Sequence, residues 1–496
     1  MARPVLTLPS GAASDRLELG LRLPRLLRVG AAPVLVLIAS AGWLLLRGID
    51  HRFISFSDGV YMYAAADAAS HGFDQLYQAV ALSLPPGGLV GAALVWKLSP
   101  HVEAIRIGLA VLGGLTAVLT YRVARTLFGL GVAASALAAF LALAGPLHAQ
   151  FVGLEGEAFI TPLALALALA VERRRGVACV AILGLGFLFK LTWAPFFLLG
   201  AVALVLRLGA RKASACAAGG LAFALVLYAA AAWAFGWSAH ELATQLLFAQ
   251  SRSGFQPGLA LGIAAAVLVM WWPLLLLAGR GWRAGTTSAR FVIVAGAASS
   301  LFMLKQGTFF NVMAPLEPFL GILAVAGACA LWERGRPRAR LLVLACALGA
   351  AVHIVSVTGG PGSRLLPIPL GAAIVNTDNQ AVVDEVAAAI AAHSRPDQPV
   401  LVNPLFALVA HRTEPVHAVD WFILRSLERY CGGRQNIDRH CDDWAKAKGA
   451  RSSVVGVDSN VSGFDRGFET DTGVASMIRL IDVDEPPIKT RLYARP

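Results

Sequence analysis

Eleven apolar runs punctuate this chain, near residues 29–47, 104–121, 131–148, 158–171, 176–189, 193–207, 214–234, 259–278, 291–304, 314–332 and 341–357. Nothing else in the sequence constrains its fold as strongly. So many long apolar runs, with few charges between them, exceed what one soluble core encloses, whereas each suits the hydrocarbon of a bilayer. There every backbone N–H and C=O must be bonded within the chain, so such runs fold as helices. Composition agrees: 57% of residues are hydrophobic and 15% charged, against about 25% charged in an average soluble domain. Several runs are short for a core of about 30 Å, and those at 176–189 and 193–207 also read as one re-entrant pair. The expected fold is a polytopic α-helical membrane protein of about eleven transmembrane helices, covering residues 1–357. The polar, arginine-bearing residues 1–29 precede a first run with no evident cleavage site, which reads as an uncleaved span.

The net charge of +12 does not point to nucleic acid, because the arginines sit in short clusters at the ends of apolar runs. They alternate from one connection to the next. One set holds Arg22, Arg25 and Arg28; Arg122 and Arg125; Arg173 to Arg175; Arg207, Arg211 and Lys212; Arg280, Arg283 and Arg290; and Arg334, Arg336, Arg338 and Arg340. The opposite set holds little besides Arg47, Arg52, Lys97, Lys190, Arg252 and Lys305. By the positive-inside rule the first set is cytoplasmic. An odd number of spans then leaves the C-terminal part outside, and the alanine, arginine and glycine bias suits a bacterial inner membrane.

Two outer segments exceed a turn, 48–103 and 235–258. Their stretches Val60–Ala69 and His240–Ala249 read as helices lying along the interface. Residues 358–496 read as a small non-cytoplasmic α/β domain. It has a helical pattern at Asn379–Ala392 and short apolar runs at Pro399–Asn403, Ser453–Val457 and Thr490–Ala494. Cys179, Cys216, Cys329 and Cys346 lie in apolar runs and read as packing residues. Cys431 and Cys441 can close a short disulfide if their compartment is oxidising. No internal repeat of the kind that marks many transporters stands out.

The first outer loop is the richest in chemistry. It reads Phe56-Ser57-Asp58-Gly59-Val60-Tyr61-Met62-Tyr63, then His71-Gly72, Tyr77, and Leu84-Pro85-Pro86-Gly87-Gly88. An acid just after span one, an aromatic-rich helix, a tyrosine and a Pro-Pro turn resemble the integral-membrane GT-C glycosyltransferases. Among these, the protein-mannosyltransferase-like (family 39) and aminoarabinose-transferase-like branches use polyprenyl-phosphate sugars. The likeness extends along the chain. Arg125 to Gly129 resembles the family's Arg-x-Leu-Phe-Gly ending of the second span. Gly184-Leu-Gly-Phe-Leu-Phe-Lys190 resembles its fifth-span motif ending in lysine. Lys305-Gln-Gly-Thr-Phe-Phe-Asn311 resembles a loop of some members, and Pro399 to Pro404 with His411-Arg412 their end domain. Each motif is weak alone; their order carries the resemblance.

What the resemblance implies is sugar transfer from a polyprenyl-phosphate donor to a lipid, glycan or protein acceptor, outside the cytoplasm and with inversion. Asp58 falls on the position of the family's base and Glu157 on that of a second acid. Such transfer needs a base for the acceptor proton and cations for the leaving phosphate. Cations are scarce on the outer side, which singles out Lys190, Arg252 and Lys305 for the phosphate. Arg252 and Lys305, in polar loops, are favoured. Tyr61, Tyr77 and His71 are further substrate-binding candidates. The bland alternatives are plain: Ser57 or Asp58 can cap a helix, Glu157 can serve a helix dipole, and outer cations can snorkel to headgroups. Glu317, between two prolines in an apolar run, is a costly intramembrane acid. A divalent metal near Asp58 is allowed but not demanded. Asp58 is followed by glycine where many relatives have Asp-Glu, which argues against the protein-mannosyltransferase branch proper. No Walker motif, Gly-rich nucleotide loop or Asp-x-Asp pair speaks for a nucleotide-sugar donor. The rival class is a transporter or flippase of lipid-linked intermediates.

Overall fold

The computed structural model describes residues 31–50, 56–77, 84–144, 151, 154, 156–243, 246, 255, 257–305, 310–357, 379–400, 402, 404–412, 454–458, 478–485 and 488–494. The helices are α1 (Ala32–Asp50), α2 (Phe56–His71), α3 (Pro86–Leu98), α4 (Val102–Leu127), α5 (Val132–Ala144), α6 (Gly156–Glu172), α7 (Gly176–Phe189) and α8 (Ala194–Leu208). They continue with α9 (Ala210–Phe235), α10 (Ala239–Ala243), α11 (Pro257–Gly281), α12 (Thr287–Ser300), α13 (Glu317–Glu333), α14 (Pro337–Val357), α15 (Asn379–Ala392) and α16 (Pro404–Val409). Every one of the eleven apolar runs coincides with a helix. Among the described residues, five stretches are long and apolar enough to cross a membrane: Val102–Leu127, Leu191–Leu208, Ala210–Phe235, Thr287–Leu304 and Asn311–Glu333. Shorter apolar helices accompany them at Ala32–Leu45, Pro86–Leu98, Val132–Leu143 and Gly176–Phe189. The runs at 176–189 and 193–207 form separate helices, turned by a 3-10 segment at Leu191–Trp193.

Small residues let these helices approach, as expected where apolar contact with lipid gives helix pairing no hydrophobic gain. A Cβ at Gly281 would run into the backbone of Leu323, and one at Gly327 into that of Leu277, so α11 and α13 cross backbone to backbone. Gly184 faces the backbone of Gly220, seating α7 on α9. The Arg125–Gly129 motif is a helix ending. Gly129 adopts φ 67°, and Arg125 donates to the Leu130 carbonyl at 3.0 Å, closing α4 where the chain must turn.

The two ends of the bundle differ. At one end the Thr286 amide bonds the Leu127 carbonyl, while Arg207 binds both oxygens of Glu172 at 2.6 Å and Ser288 Oγ at 3.2 Å. This ties the last turns of α4, α6 and α8 to the start of α12. The arginine-rich connections gather here. The opposite end holds the start of α6, the end of α7 and the chain leaving α12, together with α2 and α3.

Segment 48–103 departs from expectation. Its stretch Val60–Ala69 does not lie on a surface: Tyr61 to Ala66 and Ala68 are all buried, with α2 packed between α3 and α16. Residues 86–98, expected as loop, form α3; Pro86 suits a first helical turn, where a missing N–H costs nothing. Within 240–249 the described helix is only Ala239–Ala243.

In the C-terminal part α15 spans Asn379–Ala392, as the periodicity predicts. Strands β1 (Val454–Asp458), β2 (Ile478–Glu485) and β3 (Ile488–Ala494) form an antiparallel sheet in the order β1-β3-β2. Pro399–Asn403 gives no strand in its described residues; Val400 and Val402 are buried as the chain enters α16. α16 buries Phe406 and Ala407 in the same apolar cluster as Tyr61, Met62 and Tyr77. Arg412 fastens α15 to α16 by donating to Ser394 Oγ and the carbonyls of Ala391 and Ser394. Cys179, Cys216 and Cys346 are buried and free, as packing residues should be. Cys431 and Cys441 lie outside the described residues.

Candidate active site

Three chain ends meet at the arginine-poor end of the bundle. α6 begins at Gly156-Glu157, α7 ends at Phe189-Lys190, and α12 continues through a 3-10 turn at Leu301–Leu304 to Lys305. Lys190 Nζ donates to Glu157 Oε2 at 2.8 Å, the carboxylate fully buried and the lysine side chain 14% exposed. Lys190 thus lies over Glu157 and is the member of the pair that reaches solvent.

The local sequence explains why the pair forms. Gly156 is required because a Cβ there would meet Lys190 Cδ at 2.5 Å and the Phe189 carbonyl at 2.8 Å. Phe159 and Phe189 stack at 4.8 Å and 4°, fixing the first turn of α6 against the last turn of α7. Gly87 and Gly88 let the start of α3 close over those rings. Gly186 opens a slot for the Trp193 indole, whose Nε1 donates to the Leu183 carbonyl at 3.0 Å. The Gly-Leu-Gly-Phe-Leu-Phe-Lys motif is therefore a packing device that ends on a positioned ammonium.

Lys305 stands close enough to Lys190 to feel it. Burial first, and then the Lys190 ammonium, bring Lys305 down to about 8. Two lysines accordingly share one partly desolvated place, and Lys190 has Glu157 as a counter-charge there. Ser299 Oγ donates to the Thr192 carbonyl at 3.1 Å. That bond straps the turn after Lys190 to the helix leading to Lys305. The backbone of Lys305 also pairs with Phe255, three residues beyond Arg252 in sequence.

Two of these polar side chains keep a buried oxygen without a hydrogen-bond partner among the described residues, Glu157 Oε1 and Thr192 Oγ1. They flank Lys190, one through space and one along the chain. Buried polar atoms are usually paired, and here two are not.

The remaining candidates fall as follows. Asp58 is the third residue of α2, so the helix begins before Ser57 and Asp58 rather than after them; its side chain lies outside the described residues, as does Arg252. Tyr61 and Tyr77 are buried side by side. The Tyr77 hydroxyl donates to the Leu84 carbonyl at 2.6 Å, and its ring packs edge-on against Trp237 at 5.0 Å. Burial, then the phenols of Tyr228 and Tyr61, hold Tyr77 well above its ordinary range, so it stays a neutral donor. Trp237 Nε1 in turn donates to the Phe73 carbonyl at 2.8 Å, locking the segment after α2 to the end of α9. His71 is turned away, exposed and bonded to Asp67 Oδ1 at 2.8 Å. Glu317 is buried in the first turn of α13. Among the described residues no three His, Cys, Asp or Glu side chains come together as metal ligands.

No family model matches the chain, and no curated protein matches it. Solved structures do. ArnT from Cupriavidus metallidurans in the apo state superposes with a TM-score of 0.61 at 15% identity, over 93% of this chain and 97% of that one. The same protein bound to undecaprenyl phosphate superposes at 0.58 and 14% identity over the same shares. The chain has the ArnT fold. That agrees with the architecture expected from the order of motifs. An Archaeoglobus fulgidus oligosaccharyltransferase in complex with zinc and sulfate aligns with 93% of this chain and 73% of its own at 12% identity. Its TM-score of 0.45 is too low to argue from.

The sequence ranks Lys190 below Arg252 and Lys305 as a phosphate ligand, and the structure gives it a buried carboxylate partner in Glu157. Thr192, Ser299 and Gly156 carry no signal of their own in the sequence. Their roles are to strap or to make room, and these appear only once the helices are in place.

Proposed function

We propose that this protein is a GT-C-type glycosyltransferase of the membrane. It takes a sugar from a polyprenyl-phosphate donor and places it on a lipid, glycan or protein acceptor on the non-cytoplasmic side. The observation that carries this reading is the pair of lysines, Lys190 and Lys305, brought together at the arginine-poor end of an ArnT fold. Two ammonium groups in a partly desolvated place hold a phosphate oxygen anion far better than they would in water. The undecaprenyl phosphate bound to ArnT supports a polyprenyl-phosphate partner.

In the proposed reaction Asp58 accepts the proton of an acceptor hydroxyl as that oxygen attacks the anomeric carbon. The bond from this carbon to the phosphate oxygen breaks, and the electron pair leaves with the polyprenyl phosphate. Direct displacement inverts the anomeric centre. Lys190, Lys305 and, from the sequence, Arg252 take up the charge that develops on the leaving group. A divalent ion beside Asp58 would add to that stabilisation, and transfer measured with and without a chelator tests for it.

Purified protein supplied with a polyprenyl-phosphate sugar and membrane-lipid acceptors is expected to release polyprenyl phosphate and form a glycosylated product. Asp58→Asn should lower kcat by about 10²- to 10⁴-fold, the usual worth of a general base. Unchanged activity in that variant rejects Asp58 as the base. Transbilayer movement of the lipid without any sugar transfer replaces the whole reading with a flippase.

A further inference from the structure

We infer that Glu157 is a positioning residue that acts through Lys190, holding that ammonium against the donor phosphate rather than meeting the acceptor itself. The inference rests on the proposed use of a polyprenyl-phosphate donor and assigns Glu157 a task within that site. The Glu157 side chain is fully buried, while that of Lys190 is 14% exposed. A fully buried carboxylate is not placed to meet a substrate hydroxyl. What it does touch is an ammonium at 2.8 Å.

The surroundings fit a device for aiming Lys190. A lysine has four rotatable carbons and on its own spreads its charge over a wide arc. Here the stem is pressed on Gly156 at one end of the pair. The following turn is strapped by Ser299 to the helix that leads to Lys305. Glu157 supplies the remaining constraint, and one with a sign. It gives Lys190 a counter-charge, so that two ammonium groups can share the place without a bound anion. Burial first, and then the neighbouring Lys190 ammonium, lower the basicity of Lys305. The donor phosphate would relieve that crowding. Glu157 thus keeps the empty site assembled, and the phosphate completes its charge balance.

Binding of undecaprenyl phosphate to the purified full chain tests this, with wild type, E157Q, K190Q and the double variant E157Q/K190Q. The double variant matters because a Gln–Gln pair keeps the buried hydrogen bond with no unpaired charge left in the core. It should therefore melt near the wild-type temperature even if a single variant folds poorly. K190Q should weaken binding about 10-fold or more, as loss of a charge-assisted contact does. E157Q should weaken it as well, raising the donor KM more than it lowers kcat, and the double variant should bind no worse than K190Q. Losses that multiply in the double variant would mean that Glu157 acts independently of Lys190, and would overturn the inference. So would E157Q or the double variant binding as tightly as wild type. Wild-type protein that does not bind undecaprenyl phosphate at all overturns the donor reading, and the positioning role falls with it. That outcome is distinct, because it is seen before any variant is compared.

Discussion

At the scale of single residues, the site turns on how a lysine fares when a second lysine is close by. Lys305 loses its proton near pH 8, from burial and then from Lys190. Its ammonium is present below that pH and disappears as pH rises through it. With the Lys190 ammonium acting on it, kcat/KM for the donor should be level below about pH 8 and fall by roughly 10-fold per unit above it, if one proton governs binding. The bound phosphate should move the same limb upward in kcat, since an anion favours the charged lysine. A pH-rate profile of Lys305→Arg checks this, because guanidinium stays charged throughout: its limb near 8 should vanish. Persistence of that limb would assign the titration elsewhere. The sequence points to the residue types here, and its loop context favours Arg252 and Lys305 over Lys190. Only packing reveals that Lys190 has a buried partner.

Helices impose their own conditions, and here they are written in glycine. The turn from α6 to Lys190 has no room for a methyl group at Gly156. Gly156→Ala should push Lys190 out of line and destabilise the protein by about 1–3 kcal/mol, the usual cost of overpacking, with a raised donor KM among the molecules that fold. A thermal melt alongside donor titration reads both effects. A variant with wild-type melting and wild-type KM would show that α6 shifts freely and that the close contact does not position the lysine. The α7 motif teaches the same lesson. Its glycines look like a signature in the sequence, yet Gly184 serves the contact with α9 and Gly186 receives Trp193. The lysine at its end inherits a fixed place from those contacts. Element identity was largely legible, because apolar runs of bilayer length leave the backbone little choice but helix. α2 and α3 were less so. Their outer segment reads as loop and surface helix, but tertiary contacts with α3 and α16 bury Tyr61 to Ala66, and burial by a distant part of the chain leaves no local trace.

For the molecule as a whole, the arginine-rich connections gather at one end of the bundle and the lysine site at the other. If that face is outside, a membrane-impermeant thiol reagent should label a cysteine placed at Glu385, exposed on α15, in cysteine-free protein in right-side-out vesicles. It should leave one placed at Arg336 untouched. Labelling in the reverse pattern would invert the topology and move the proposed chemistry to the cytoplasm. What the sequence determined by itself is the class of the fold and its orientation signal: apolar runs cannot leave their amides unbonded in hydrocarbon, and arginines resist crossing. The order of motifs extended that to an ArnT-like architecture. The tertiary structure alone decided which charges meet. Glu157 and Lys190 are 33 residues apart, and Lys305 follows a later helix still. Their encounter depends on how α6, α7 and α12 pack, through glycines and ring stacks that say nothing in sequence about the side chain they aim. Charge-bearing residues advertise their chemistry one at a time, whereas a site is a distance between them, and distances are set by packing.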